Sequence, residues 1–266
     1  MNDLSETSTA ALTPGARRTR PFIGTSDDGF VLHTYAYSET SLIAETFTRT
    51  HGRVVMVAKG AKRPHGALRG LVSPFQGLVL VWFGKGEMKT LKSAEQTKIL
   101  PQLCGAALLS AFYLNELLLK LTVREDPHEA LFDTYRQTIA ALAALERGSH
   151  SGRDIAPILR QFEVSLLREL GYALQLQEEA YNHQPLRAER QYCYLVERGP
   201  QSTTTVARQS GAHGLNLQGK TLLDMAAGDY TDPQTQTQSK QLMRMMINHL
   251  LGDKILHTRQ LMRDMR

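Results

Sequence analysis

The sequence predicts an α+β protein: an N-terminal five-stranded β-barrel of the OB type, followed by an all-helical C-terminal domain with an irregular insert. Three observations carry this. β-favouring runs bounded by turn residues crowd into residues 25–96, and after Pro101 the apolar residues change to a helical period. A polar stretch with Pro185, Pro200 and several glycines then interrupts the helical part at about 175–218.

The elements follow in order. Residues 1–24 read as a disordered tail, rich in Thr, Ala and Ser and carrying the basic run Arg17-Arg18-Thr19-Arg20. Residues 25–96 form the OB domain. Its first strand is Phe30 to Tyr35, and Ile43 to Thr48 alternates as a half-buried strand should. His51-Gly52 turns the chain into a third strand, Arg53 to Ala58. The stretch from Lys59 to Gly70, with Gly60, Gly66 and Pro64, reads as an exposed, mobile loop. Gly77 to Phe83 and Met88 to Lys92 make a second hairpin around Gly84-Lys85-Gly86. Residues 97–266 form the helical domain. Leu103 to Val123 is one apolar helix; Pro127 opens a second, and Asp154 caps a third that ends at Gly171. The insert allows a short hairpin around Gly199-Pro200. Helices at Thr221 to Ala227 and Gln234 to Leu251 follow, with a last one starting near Asp253.

Composition narrows the class. The chain has 266 residues, 42% hydrophobic and 21% charged, so it can bury a core. Two cysteines, Cys104 and Cys193, build neither a disulfide framework nor a four-thiolate zinc site. The N-terminus is too polar for a secretory signal. The most apolar run, Leu103 to Leu121, contains Asn115, Glu116 and Lys120 and so reads as a buried helix rather than a membrane span. A cytoplasmic setting is the expectation.

The net charge of +5 is unevenly spread. Residues 1–96 and 181–266 are each +4, while 97–180 is −3. The concentrated part runs from Arg49 to Lys92, where Arg49, Arg53, Lys59, Lys62, Arg63, Arg69, Lys85, Lys89 and Lys92 face Glu87 alone. Such a run is usually a solvated face; on a small barrel with Gly-rich loops it points to phosphate. OB barrels add aromatic platforms for unstacked bases. Alternation sends Phe75 and Phe83 to the core, whereas Tyr35 and Tyr37, beside a polar loop, are the stacking candidates. Binding residues are therefore expected at Arg49, Arg53, Lys59, Lys62, Arg63, Arg69, Lys89, Lys92, Tyr35 and Tyr37.

Catalytic signals are weak. Gly214 to Thr221 matches the phosphate-loop pattern G-x-x-x-x-G-K-[ST], which leaves a nucleotide-binding alternative using Lys220 and Thr221. The preceding residues make a poor central strand, and Leu215 and Leu217 are bulky where a phosphate must be wrapped. His183, Cys193 and His213 lack metal-ligand spacing, and no nucleophile elbow is present. A scaffold for acidic proteins is the remaining alternative, separable by competition with an oligonucleotide.

Several separate runs resemble one family, the bacterial recombination mediator RecO. They are Phe30 to His33, Ser38 to Leu42, Val57-Ala58-Lys59-Gly60-Ala61-Lys62 and Gly86 to Glu95 in the barrel. In the helices they are Tyr113 to Leu118, Leu159-Arg160-Gln161-Phe162-Glu163, Leu170-Gly171-Tyr172 and Leu251 to Arg259. The resemblance implies an OB domain before a helical one, binding of single- and double-stranded DNA, and strand annealing without catalysis. It also implies partnership with RecR and with the acidic tail of single-strand-binding protein in loading RecA, in the cytoplasm at the nucleoid. Many members carry a four-cysteine zinc module after the residues matching Gly171-Tyr172; here only Cys193 remains, so no metal or other cofactor is expected. For the acidic tail, whose terminal Phe needs an apolar pocket and whose Asp residues need a cation, Arg160 is the candidate, with Arg124 and Arg168 behind it. Spacing leaves open that Arg160 merely pairs with Asp154 or Glu163 on its own helix.

Overall fold

The computed structural model describes residues 24–145, 152–203 and 214–264. Residues 1–23, 146–151, 204–213 and 265–266 lie outside them, and with them nearly all of the expected N-terminal tail.

Five strands close into a barrel in the order β1-β2-β3-β5-β4: β1 (Thr25–Ala36), β2 (Leu42–Thr48), β3 (Gly52–Ala58), β4 (Gly77–Phe83) and β5 (Met88–Lys98). All neighbours are antiparallel except β3 with β5, where Val55 faces Met88 and Ala58 faces Leu91. The inside is filled by alternate residues, among them Val31, Ala44, Val54, Met56, Leu78, Leu80, Trp82 and Leu91. A bulge between Val31 and His33 shifts the register of β1. Phe30 and Leu32 on either side of Val31 therefore serve a different core.

That second core joins barrel to helices. Phe30 and Phe47 lie 5.7 and 5.6 Å from the Phe132 ring, and both meet Tyr135 edge-on. They pack with α1 (Gly105–Leu121), α2 (Glu129–Leu145) and α3 (Gly152–Glu169). Asn115 of α1 donates to the Leu32 carbonyl at 2.8 Å and accepts from the Tyr135 hydroxyl at 2.6 Å. Each buried aromatic contributes about 1.5–3 kcal/mol of transfer free energy, so the halves are welded rather than tethered. Gly52 (φ 65°) tightens the joint: a Cβ there would strike the Asp126 backbone.

Two expectations change. Lys59 to Gly70 is not wholly exposed: Ala61 and Leu68, with Val72 just beyond, turn inward and plug the barrel, while backbone bonds from Arg63, Gly66 and Arg69 fold the segment into successive turns. The insert is more regular than its composition suggests. β6 (Gln191–Leu195) forms the expected hairpin with β7 (Gly199–Ser202), and β8 (Leu215–Gln218) adds on the other edge. Tyr192, Tyr194 and Leu217 from this sheet pack on Leu222, Leu242 and Met243. Cys193 is buried in β6, where a Cβ on Gly214 would collide with its sulfur. Among the described residues no group of His, Cys, Asp or Glu could hold a metal ion.

The chain ends in α4 (Gly219–Ala227), α5 (Pro233–Leu251) and α6 (His257–Asp264). Asp232 caps α5 by accepting from the Gln234 and Thr235 amides, with Pro233 at the first helical position. No helix among the described residues is long and apolar enough to cross a membrane.

Candidate nucleic-acid interface

One end of the barrel gathers exposed cations and aromatic rings. No Asp or Glu occurs between Glu45 and Glu87, a span that includes β3 and the whole plug segment. The apolar side of that segment is anchored in the barrel, so Lys59, Lys62, Arg63 and Arg69 stand on the solvent side. The anchoring extends to the β1–β2 loop. The Lys62 amide donates to the Thr40 carbonyl at 3.0 Å, and its ammonium donates to the Ser38 carbonyl at 2.9 Å. Arg69 similarly caps the Pro64 carbonyl at 2.8 Å. These neutral carbonyls hold the cations without cancelling their charge.

Tyr35 and Tyr37 flank the same loop and are 49% and 56% exposed. Period two along β1 also brings out His33, whose ring meets Tyr35 edge-on at 4.5 Å. His33 was missed in the sequence; the spacing His33-Tyr35-Tyr37 could have found it. In register, Tyr35 lies opposite Ile43, and Ile43 opposite Val57. The result is a strip of rings beside a row of cations, the two components that sequence-tolerant single-strand sites combine. Phe83, assigned to the core by alternation, is instead 39% exposed at the end of β4, while Trp82 is the buried ring. Phe75 is half-buried against the helices and touches Phe112 at 4.9 Å.

The structure removes Arg53 from the expected set. It is only 9% exposed, with one guanidinium nitrogen 3.3 Å from Glu45 and another donating to the Thr122 carbonyl at 2.9 Å. Burial pulls its guanidinium below the ordinary value, with Glu45 opposing that effect. Arg124 reaches the other oxygen of Glu45 at 2.5 Å, so this carboxylate ties β2 to β3 and to the α1–α2 connection. Arg49 and Lys89 are likewise committed across the joint, to Asp133 at 3.0 Å and Glu129 at 3.4 Å, and to Glu125 at 2.7 Å. Lys92 on β5 and Lys85 in the β4–β5 turn are exposed.

On the helical side Arg160 pairs with Glu163 of its own helix at 2.8 Å and is 9% exposed, so the pairing reading wins over the docking one. Glu163 also accepts from the Tyr113 hydroxyl at 2.6 Å. Burial pushes its carboxyl up, and Arg160 opposes that. Arg168 is exposed near the end of α3.

The phosphate-loop reading fails on geometry. Leu215 to Gln218 is an extended strand laddered on β6, not a loop wrapping an anion. The amides of Gly219 and Lys220 donate to the Arg190 and Ala188 carbonyls. Lys220 pairs with Asp224 at 2.5 Å, and Thr221 is buried against Gln238. The Gln218, Gly219 and Lys220 amides, the Lys220 ammonium and the Thr221 hydroxyl are all spent internally.

Comparison with known proteins finds matches over most of the chain. Residues 23–100 match the family model described as Recombination protein O N terminal, and residues 105–259 match Recombination protein O C terminal. A DNA repair protein RecO from Nitrosospira multiformis is 50% identical over 238 residues, covering 88% of this chain and 93% of that protein. Those from Aromatoleum aromaticum and Polynucleobacter asymbioticus are 48% identical over 236 residues and 45% over 240. These cover 89% and 90% of this chain, and 94% and 96% of the respective relatives.

Proposed function

The chain belongs to the recombination protein O family, and from that membership we propose that it is a DNA repair protein that binds DNA and anneals complementary strands. It works by binding rather than by a covalent step. The single observation behind this reading is the end of the barrel where Lys59, Lys62, Arg63 and Arg69 stand beside His33, Tyr35 and Tyr37. Cations held by neutral carbonyls neutralise backbone phosphates whatever the sequence, and exposed rings accept bases freed from a stack. A protein that holds bases by their faces leaves the pairing edges available, which is what annealing needs. Lys92 extends the cationic surface along β5.

The partners in this reading are RecR and the acidic tail of single-strand-binding protein, with RecA loading as the outcome and the nucleoid as the place. The tail is assigned to the helical domain, where exposed Arg168 is the cation available in place of buried Arg160. Arg168→Glu should weaken binding of an acidic, Phe-ended peptide at least fivefold in fluorescence anisotropy while sparing naked DNA.

The test of DNA binding is salt. For single strands log affinity falls with log salt at about 0.7 per phosphate neutralised, so replacing Lys59, Lys62, Arg63 and Arg69 together by Ala should reduce the slope by up to about 2.8. An unchanged slope would move the DNA site away from this segment.

A further inference from the structure

We propose that Glu45 sets how tightly the barrel face holds a strand, by withholding the guanidinium of Arg124 from phosphate; this rests on the DNA-binding reading above. Glu45 is the one carboxylate in β2 and β3, the strands that carry Ile43 and Val57 beside the rings. In register it lies opposite His33 on one side and Val55 on the other. The next row facing the same way, Tyr35 with Ile43 and Val57, is about 7 Å further along the strands. Arg53 is close enough to Tyr35 to feel it electrostatically. The carboxylate therefore stands at the foot of the ring strip, where a bare negative charge would repel a strand.

Two guanidinium groups share this one carboxylate, and they differ in freedom. Arg53 is 9% exposed, lies 3.3 Å from one oxygen and donates to the Thr122 carbonyl, so it is fixed in the joint between barrel and helices. Arg124 binds the other oxygen at 2.5 Å, but its side chain is 51% exposed. The two arginines are also neighbours in a β-bridge, like charges side by side that Glu45 holds together.

That arrangement is unlike the plug segment, where Lys62 and Arg69 rest on neutral carbonyls and keep their charge for a strand. Arg124 rests on an anion, so a phosphate must compete with Glu45 to reach it. Annealing needs strands that leave once paired. An exposed cation occupied by a buried carboxylate keeps the face below its full affinity and shortens the life of the single-strand complex.

The experiment measures single-strand affinity of the full-length chain against salt, and strand dissociation by stopped flow. In Glu45→Gln the new side chain has one acceptor oxygen, so it keeps buried Arg53 and releases Arg124. Affinity at low salt should rise at least fivefold, dissociation should slow by a similar factor, and the log–log salt slope should steepen by about 0.7, one phosphate more. Glu45→Gln with Arg124→Gln should return affinity to within twofold of wild type, because Arg124 carries the gain. Arg124→Gln alone should also stay within twofold, since Arg124 makes no phosphate contact while Glu45 holds it. That exposed substitution leaves the Glu45–Arg53 pair intact, so it reads out even where Glu45→Gln folds poorly. Unchanged affinity in Glu45→Gln, a gain that survives in the double variant, or a fivefold loss in Arg124→Gln overturns the proposal. The four-alanine barrel variant separates the two readings. If it keeps the wild-type slope, the DNA site is elsewhere; if it loses slope while Glu45→Gln gains nothing, the DNA face stands and the role of Glu45 falls.

Discussion

Arg53 and Lys59 sit six residues apart in one basic run, yet they do opposite work. Arg53 is enclosed with Glu45, so Arg53→Ala should cost about 1–3 kcal/mol by taking one of two cations from a buried carboxylate and leaving the Thr122 carbonyl without its donor, read by denaturant unfolding. Lys59→Ala, on the exposed side, should stay within about 0.5 kcal/mol. Sequence spacing could not separate them, because both lie in a run without carboxylates and the partner, Glu45, comes from another strand. At Tyr35, truncation to Ala should weaken single-strand binding by about 1–3 kcal/mol through lost stacking, with stability nearly unchanged. Asp27 supplies a pH test. Burial alone would raise its carboxyl, but hydrogen bonds from the His51 ring and from the Thr50 amide and hydroxyl hold it below the ordinary carboxylate value. A group depressed on folding stabilises above its unfolded pKa of about 3.9, and that contribution is lost as pH falls through the lower folded value. Thermal melts of Asp27→Asn should therefore lose part of the wild type's acid dependence below about pH 4, and identical acid profiles would contradict this.

At the level of elements, most of the secondary structure was legible because period and punctuation agree. Strands β2, β3 and β4 and helix α5 begin and end at turn residues, caps or prolines visible in the chain, and α2 begins just after Pro127. The departures have a common cause, which is tertiary packing. The plug segment looked like open loop because its inward residues, Ala61, Leu68 and Val72, are too sparse for either period and make sense only against the barrel mouth. β8 hid inside a phosphate-loop pattern because its four residues gain their strand character from pairing with β6. The β6–β7–β8 sheet packs through Tyr192, Tyr194 and Leu217, with one buried cysteine. Exhaustive chelation should accordingly leave its melting temperature unchanged; a drop would reveal a structural metal.

Across the whole molecule, the charge of +5 is a remainder that conceals two basic ends and an acidic middle. The middle is used structurally: Glu129, Asp133 and Glu125 of the helical part draw Arg49 and Lys89 from the barrel. Lys59, Lys62, Arg63 and Arg69 of the plug segment remain outward. Because Phe30 and Phe47 bury themselves among α1, α2 and α3, the two family regions share a core and should unfold in one cooperative transition. Phe47→Ala, predicted to cost about 3–5 kcal/mol, should lower that transition as a unit rather than split it. The family and its OB barrel could be read from the chain; the division of its cations between phosphate and internal carboxylates could not, since that depends on which residues the fold brings opposite one another.

The central claim is that the barrel end carrying His33, Tyr35, Tyr37 and the plug-segment cations holds single-stranded DNA. Photochemical cross-linking of an oligonucleotide to the full-length chain, with adducts mapped by peptide, tests it most directly. The account predicts adducts within residues 33–37 and 59–70, lost when excess unlabelled strand is added. A strong cross-link with no adduct in either segment would contradict it.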